Sequence, residues 1–229
     1  MTNDKQAGRL IGALLLAAML LGIWNNFGLI EPIFSGDGYL HNGSKMPLLF
    51  GAGALLALAT SGISVAVGVI AWPVLRKSSP ALAMAFVVMA GVSLATSASE
   101  QASFLSMQSL SQQFAKHPDV NPAVFQILRG MVAADRNWIH FIDKILGGAS
   151  IFVLHWALYR SNLVPRLIPA AGVLAAALQM SGISLELFSV DLPKIMLAPL
   201  ALTQLVLCLS LLGRGFAPPA RAHPPAVAT

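Results

Sequence analysis

Residues 47–75 read PLLFGAGALLALATSGISVAVGVIAWPVL, a run of 29 residues without one charged side chain. About 20 apolar residues are enough for a helix to cross the hydrocarbon layer of a membrane. The run is followed at once by the basic, turn-forming stretch Arg76-Lys77-Ser78-Ser79-Pro80. This part of the chain therefore predicts a transmembrane helix that ends at a polar boundary.

Five further segments have the same apolar character. The six predicted spans cover about residues 10–30, 47–75, 81–108, 122–160, 165–188 and 192–212. The fourth is long enough to include an outer amphipathic part, and Asn121-Pro122 before it is typical of an N-cap followed by proline at the first helical position. We therefore expect an all-α, six-helix membrane bundle over residues 1–216. The Pro- and Ala-rich tail over residues 217–229 is predicted to be disordered.

The composition of the chain agrees with this prediction. Hydrophobic residues make up 56% of the sequence and charged residues only 10%, whereas soluble domains carry roughly 25% charged residues. The net charge is +5, but Lys and Arg stand in pairs at the ends of apolar runs rather than along one stripe, so no nucleic-acid partner is predicted. The lone Cys208 provides neither a disulfide framework nor a cysteine metal site. No metal site is predicted.

The basic residues also predict an orientation. If the N-terminus lies inside the cell, Asp4 is the only acid of the cytoplasmic segments, whose basic residues are Lys5, Arg9, Arg76, Lys77, Arg160, Arg166, Arg214 and Arg221. The opposite side mixes acids and bases. Because an excess of Lys and Arg marks cytoplasmic loops, we expect both termini in the cytoplasm and a bacterial-type inner membrane as the location.

The fourth helix carries an unusual polar face. At about 100° per residue, one side of this helix collects polar or small residues, namely Arg129, Arg136, His140, Asp143, Lys144, Gly147 and His155. Ionisable groups are costly inside a membrane and mark functional sites by default. We therefore expect this face to look into the bundle.

Helical rise places the most polar residues of four helices at one level. At about 1.5 Å per residue, they lie roughly 24–33 Å above the predicted cytoplasmic ends. The candidate ligand-binding site is a polar cup at this outer boundary, formed by Asn25, Asn26, Glu31, Glu100, Arg136, His140, Asp143, Lys144, Gln179 and Glu186. Lys144 requires a counter-charge, for which Asp143, Glu100 and Glu186 are the candidates.

Two other interpretations of these polar residues stay open. Glu31, Glu100 and Glu186 lie close enough to the interface to reach water by snorkelling, which would make them a solvated ring. Asp143 and Lys144 are deeper, and the second interpretation is that this pair is purely structural and holds helices together.

Haem and the common catalytic motifs are not indicated. His140 and His155 lie on one helix, but bis-histidine ligation needs partner histidines on a second span, and His41, His117 and His223 are in loops or the tail. We therefore predict no cofactor. The sequence contains no His-Glu-x-x-His, Gly-x-Ser-x-Gly or Walker motif, so no catalytic residue is assigned.

Three short motifs point to a known family. The chain opens its first apolar run with Arg9-Leu10-Ile11-Gly12, and Gly148 precedes His155 by seven residues. The stretch Leu163-Val164-Pro165-Arg166 follows, with Gly172 beyond it. These motifs resemble the Arg-x-x-Gly helix, the Gly-x6-His helix and the Leu-Pro-Arg turn of a bacterial multi-pass membrane family catalogued as domain of unknown function 4386. The resemblance implies six helices and a bacterial inner membrane, and it implies no activity.

Three classes of function fit these observations. The favoured one is a protein that binds or moves a small or amphipathic molecule entering from the outer leaflet, with Lys144 and its acids holding the polar end. The second is an enzyme on a lipid-like substrate that uses Glu100, Asp143 or His140 as acid or base. The third is an accessory or structural subunit. The expected partners are the lipid bilayer and a small-molecule or lipid ligand, with no predicted oligomeric state.

Overall fold

The computed structural model describes residues 2–190 and 194–217. In this part of the chain every regular element is a helix. In chain order these are α1 (Thr2–Trp24), a π-helical turn (Asn25–Ile30), α2 (Glu31–Phe34), α3 (Tyr39–Asn42), α4 (Pro47–Leu75), α5 (Pro80–Lys116), α6 (Pro122–Ser161), α7 (Leu167–Glu186), a 3₁₀ turn (Lys194–Leu197) and α8 (Ala198–Arg214). Beyond Ala217, the predicted disordered tail lies outside the described residues.

Six helical segments are long and apolar enough to cross a membrane, which confirms the predicted all-α bundle of six spans. They are Asn3–Phe34, Pro47–Leu75, Pro80–Lys116, Pro122–Ser161, Leu167–Glu186 and Ile195–Arg214. The helices pack in a closed ring that follows the chain. Each of α1, α4, α5, α6, α7 and α8 contacts the next, and α8 returns to α1. Short connections between antiparallel neighbours produce this ring.

Helices α5 and α6 are much longer than a span requires. With 37 and 40 residues, each extends about 55–60 Å, nearly twice the hydrocarbon thickness. Helix α5 continues past the predicted end near Gln108 to Lys116, because Met107 and Ser111 are buried where α3 packs against α5. The loop to α6 is therefore short, residues 117–121. Asn121 caps α6 by accepting a hydrogen bond from the backbone N of Ala123 at 2.9 Å.

The bundle has two ends, which we name by their position relative to the N-terminus. The proximal end contains the start of α1, the α4–α5 and α6–α7 turns and the end of α8. The distal end contains α2, α3 and the loop between α5 and α6. Each end has an apolar core. The proximal core includes Val67, Phe86, Leu154 and Leu207, and the distal core includes Ile33, Tyr39, Phe50, Phe104 and Met107.

A polar layer separates the two cores. Along α5, Phe86 belongs to the proximal core and Phe104 to the distal core, and the buried Ser97 and Glu100 lie between them. On α4, Ser61 lies at the same level and its hydroxyl donates to the Ser97 hydroxyl at 3.0 Å. Ser61, Ser97 and Glu100 thus form a polar layer between the two apolar cores.

Candidate functional site

Glu100 is the centre of the polar layer. It is only 4% exposed. Its Oε1 accepts a hydrogen bond from Nη2 of Arg136 at 2.9 Å and lies 2.8 Å from Nδ1 of His140. Both partners are on α6, and because they are four residues apart they share one face of that helix. Glu100 is therefore buried and paired, and the interpretation of this residue as a water-solvated acid is wrong.

A second ion pair lies one turn closer to the proximal end. Oδ2 of Asp143 is 3.2 Å from Nζ of Lys144, and Oδ1 accepts from the Thr96 hydroxyl on α5 at 2.9 Å. Of the three predicted counter-charges for Lys144, Asp143 lies within ion-pair distance of Nζ, and the Glu100 carboxylate also interacts electrostatically with Lys144.

Asp143 and Lys144 differ in their exposure. The Asp143 side chain is 8% exposed, whereas that of Lys144 is 44% exposed. Consecutive residues on a helix point about 100° apart, so only one of the two can face α5. Asp143 is therefore buried against α5, whereas Lys144 is only partly buried.

An open cleft of about 430 Å³ adjoins the Glu100 cluster at the distal end. We call it the distal cleft. It is lined by Asn26, Ile30, Phe34, Tyr39, Met107, Arg129, Ala133, Arg136, Asn137 and His140. One part of this lining is apolar and the other carries cationic and amide groups, with no carboxylate among the described lining residues. The cleft therefore combines an apolar surface with a positive one.

Arg136 is the best-defined polar group of this cleft. Its Nη2 is held by Glu100, and its side chain is 17% exposed. Its buried Nε has no hydrogen-bond partner within the part of the chain that the structure describes. Buried donors are nearly always satisfied in folded proteins. This nitrogen is enclosed, so a ligand in the cleft would meet the exposed part of the Arg136 side chain.

Tyr39 attaches the short helix α3 to α6. It is 3% exposed, and its hydroxyl donates to the backbone oxygen of Arg129 at 2.8 Å. Burial raises the pKa of Tyr39 to about 12, although the Arg129 guanidinium acts in the opposite direction. The phenol is therefore a neutral donor at physiological pH. It fixes one wall of the distal cleft.

Gly38, just before α3, allows Arg129 to approach this wall. Its φ is +79°, which favours glycine. A side chain at Gly38 would place its Cβ 3.1 Å from the Arg129 guanidinium. The close approach of α3 to α6 therefore depends on this glycine as well as on Tyr39.

The remaining candidate residues fall in different places. Asn26 lines the distal cleft, and its amide donates to the backbone oxygen of Gly22 at 3.0 Å. Asn25 is buried in the π-helical turn, and its Oδ1 lacks a partner among the described residues. Glu31 is exposed on α2 and Glu186 is the last residue of α7. Gln179 lines another cleft, to which α1, α4, α6, α7 and α8 contribute.

The structure thus brings together four of the predicted residues, namely Asn26, Glu100, Arg136 and His140, with Asp143 and Lys144 next to them.

The family described as Domain of unknown function (DUF4386) matches residues 10–215, which is most of the 229-residue chain. The chain belongs to the DUF4386 family. This confirms the predicted resemblance. No curated protein and no solved structure matches the chain.

The site of this DUF4386 protein also contains residues outside the predicted set. Arg129 precedes Arg136 by seven residues, or two helical turns, so its position on the same face was visible in the sequence. The sequence contains no comparable signal for Tyr39. This residue belongs to a four-residue helix, whose position depends on tertiary packing. Asn137 lines the cleft from the edge of the polar face. These three residues complete the cleft.

Proposed function

We propose that this DUF4386 protein binds an amphipathic molecule with an anionic head group in the distal cleft. The observation that carries the proposal is the state of Arg136: one nitrogen is held by Glu100, and the partly exposed side chain lines the cleft. A guanidinium presents several donors in a fixed fork that matches a carboxylate or phosphate. The anionic group of the ligand would pair with the part of this guanidinium that faces the cleft.

The charge distribution supports an anion at this place. Arg129, Arg136 and His140 line the cleft, and Glu100 lies behind Arg136 and His140 rather than in the lining. Glu100 offsets part of the positive charge and holds both side chains in place before any ligand arrives. Preorganised donors of this kind lower the ordering cost of binding.

The apolar lining supports an amphiphile rather than a small ion. Ile30, Phe34, Met107 and Ala133 form the hydrophobic part of the cleft. Glu100 is 20 residues beyond Pro80, or about 30 Å along α5, which equals the thickness of the hydrocarbon layer. A head group bound at Arg136 would then lie at the membrane boundary, where the apolar part of the same molecule could reach lipid.

We also propose that the distal end faces the outside of the cell. At the proximal end, the only acid of the described segments is Asp4, and the cations are Lys5, Arg9, Arg76, Lys77, Arg160, Arg166 and Arg214. Excess Lys and Arg on one side favours a cytoplasmic location for that side. In this orientation the ligand enters from the outer leaflet.

Equilibrium binding of radiolabelled decanoate to the protein in a non-ionic detergent tests the proposal, with decanol as the neutral analogue. We expect decanoate to bind more tightly than decanol. Arg136→Gln should weaken decanoate binding by about tenfold or more, because a hydrogen bond to a charged group contributes about 1.5–3 kcal/mol. Lys116→Gln is the matched control, since Lys116 is exposed at the end of α5 and does not line the cleft. Equal binding of decanoate and decanol would contradict the proposal.

Acid–base catalysis is a second candidate function, favoured by one observation. Nδ1 of His140 lies 2.8 Å from the Glu100 carboxylate, and His140 lines the cleft. When Nδ1 donates its proton to Glu100, Nε2 is left able to take a proton from a bound molecule. Mass spectrometry of membrane lipid extracts incubated with wild type or with His140→Gln tests this. A product formed only by the wild type favours an enzyme, and unchanged lipids contradict that function.

A further inference from the structure

A second cleft, of about 560 Å³, lies at the proximal end of the bundle. We call it the proximal cleft. Three separate segments form it: the start of α1, the turn between α6 and α7, and the end of α8 with the residues that follow. Its lining residues are Lys5, Asn162, Leu163, Val164, Pro165, Arg166, Ser210, Arg214, Gly215, Phe216 and Ala217. It is far from the distal cleft and shares no lining residue with it.

The backbone around the proximal cleft is held in a defined shape. Asn162 ends α6 in the left-handed conformation, with φ +53°. Gly215 has φ +67°, and its Cα faces the backbone oxygen of Lys5 so closely that a side chain would not fit. The backbone N of Ala217 then donates to the oxygen of Leu163 at 2.8 Å. Gly215 and Ala217, which follow α8, therefore contact α1 and the α6–α7 turn respectively.

Three cations converge on this cleft without an acid. Lys5, Arg166 and Arg214 line it, and no Asp or Glu does among the described residues. The ion pair found at this end of the described chain joins Lys77 to Asp4, neither of which lines the cleft. Like charges brought together repel each other, and an anion between them would relieve the repulsion.

The cleft also contains groups that orient an anion. Nε of Arg166 donates to Oδ1 of Asn162 at 2.5 Å, and its guanidinium lies 5.8 Å from the ring centroid of Tyr159. These contacts fix the guanidinium while leaving its terminal nitrogens available. The hydroxyl of Ser210 belongs to the same lining. A fixed arginine with a nearby hydroxyl is a common arrangement for recognising phosphate.

Position along the helices places the cleft at the level of lipid head groups. Arg166 immediately precedes α7, and the 20 residues of that helix span about 30 Å, the thickness of the hydrocarbon layer. Arg214 is the last residue of α8. Leu163, Val164 and Phe216 give the cleft an apolar part. A phospholipid presents this combination of a charged head and apolar chains at a membrane boundary.

We propose that the proximal cleft binds a phosphate group, as carried by the head group of an anionic phospholipid. Lys5, Arg166 and Arg214 neutralise the phosphate, Ser210 donates to one of its oxygens, and the apolar lining contacts the glycerol and the first acyl carbons. Basic pockets between transmembrane helices bind anionic lipids in this manner. The proposal concerns a site separate from the distal cleft, so either one can fail without the other.

Native mass spectrometry of the full chain in a non-ionic detergent tests it, by titration with phosphatidylglycerol and with phosphatidylcholine of the same acyl chains. We expect one phosphatidylglycerol to bind at least about tenfold more tightly than phosphatidylcholine. Arg166→Gln with Arg214→Gln should weaken phosphatidylglycerol binding by about 30-fold, since each basic residue near an anionic lipid contributes about 1 kcal/mol. Arg76→Gln with Arg160→Gln is the matched control, because it removes two exposed charges from the same end outside the cleft.

The outcomes separate the proposal from its alternatives. Equal losses in the two double variants would show that only the overall positive charge of this end of the bundle matters. Equal affinity of the wild type for the two lipids, which carry the same phosphodiester but differ in net head-group charge, would show that the cleft does not select an anionic head group. Either result overturns the proposal. If the first double variant does not fold, Arg166→Lys with Arg214→Lys keeps the charge and should keep the preference for phosphatidylglycerol. Competition by glycerol phosphate at the same concentration as the lipid would support the phosphate site with a soluble ester as its source. Failure of glycerol phosphate to compete supports the lipid as the source.

Discussion

The imidazole ring of His155 on α6 lies directly on the backbone of Gly172 on α7. A Cβ added at Gly172 would overlap Cγ, Nδ1 and Cε1 of that ring. His155 is 0% exposed, so the ring is enclosed by protein. The absence of a side chain at Gly172 is therefore what allows α6 and α7 to approach this closely, as is typical of small residues at helix interfaces in membranes.

Gly172→Ala should accordingly destabilise the protein. Overpacking of a filled interior costs about 1–3 kcal/mol, and the midpoint of thermal unfolding in detergent, followed by circular dichroism, reports the loss. Gly91→Ala is the control, since no atom lies within 4 Å of a Cβ placed there. That substitution should leave the midpoint unchanged or raise it, because alanine favours a helix over glycine by about 0.5–1 kcal/mol. Combining Gly172→Ala with His155→Ala should remove most of the penalty. A penalty of the same size in that background would contradict the contact.

Loss of the Glu100 charge should destabilise the bundle. Glu100→Gln leaves the Arg136 guanidinium, 17% exposed, without its carboxylate. It also removes the negative partner of His140. The expected decrease in the free energy of unfolding is about 1–3 kcal/mol, the usual cost of removing a charged partner from a buried hydrogen bond. Glu31→Gln serves as the comparison, because Glu31 is exposed. It should change the stability by less than about 0.5 kcal/mol. Equal effects of the two substitutions would mean that the cluster around Glu100 does not stabilise the fold.

The sequence predicted the bundle because membrane spans are encoded locally. A span is a contiguous apolar run, so residues 47–75 could be recognised without any tertiary information. The core of the candidate site followed from periodicity, since the helical repeat puts Arg136 and His140 on one face of α6. Glu100 could be placed at the same level from its distance to Pro80. These features depend only on helical geometry.

The remaining parts of the distal end depend on tertiary packing. The π-helical turn at Asn25–Ile30 interrupts the ordinary helical repeat, and no residue pattern in the sequence indicates this turn. The last eight residues of α5 are polar enough to resemble a loop, yet Ser111 is buried and its hydroxyl donates to the backbone oxygen of Leu40 at 2.8 Å. A contact between residues 71 positions apart cannot be deduced from local pattern. For the same reason, the sequence did not predict that Tyr39 belongs to the candidate site.

Tyr39 should titrate at unusually high pH. The chain has two tyrosines, so Tyr159→Phe leaves Tyr39 as the only phenol. Its near-ultraviolet phenolate absorbance should appear around pH 12 rather than the ordinary 10.0, because burial disfavours the charged form. Since the pKa is higher in the folded protein, the stabilisation is complete below pH 10 and is lost as the pH rises towards 12. Alkaline unfolding should therefore begin in this window. A midpoint near 10 in the folded protein would show that Tyr39 is accessible to water.

The proposed orientation can be measured with single cysteines. Cys208 is the only cysteine of the chain and is buried, so Cys208→Ala provides a background without a reactive thiol. Ser78→Cys reports on the α4–α5 turn at the proximal end, and His117→Cys reports on the loop between α5 and α6 at the distal end. Because the proximal end has an excess of basic residues, a membrane-impermeant maleimide should label position 117 in intact cells. Position 78 should react only after the cells are permeabilised. The reverse pattern would place the distal cleft in the cytoplasm and would contradict entry of the ligand from the outer leaflet.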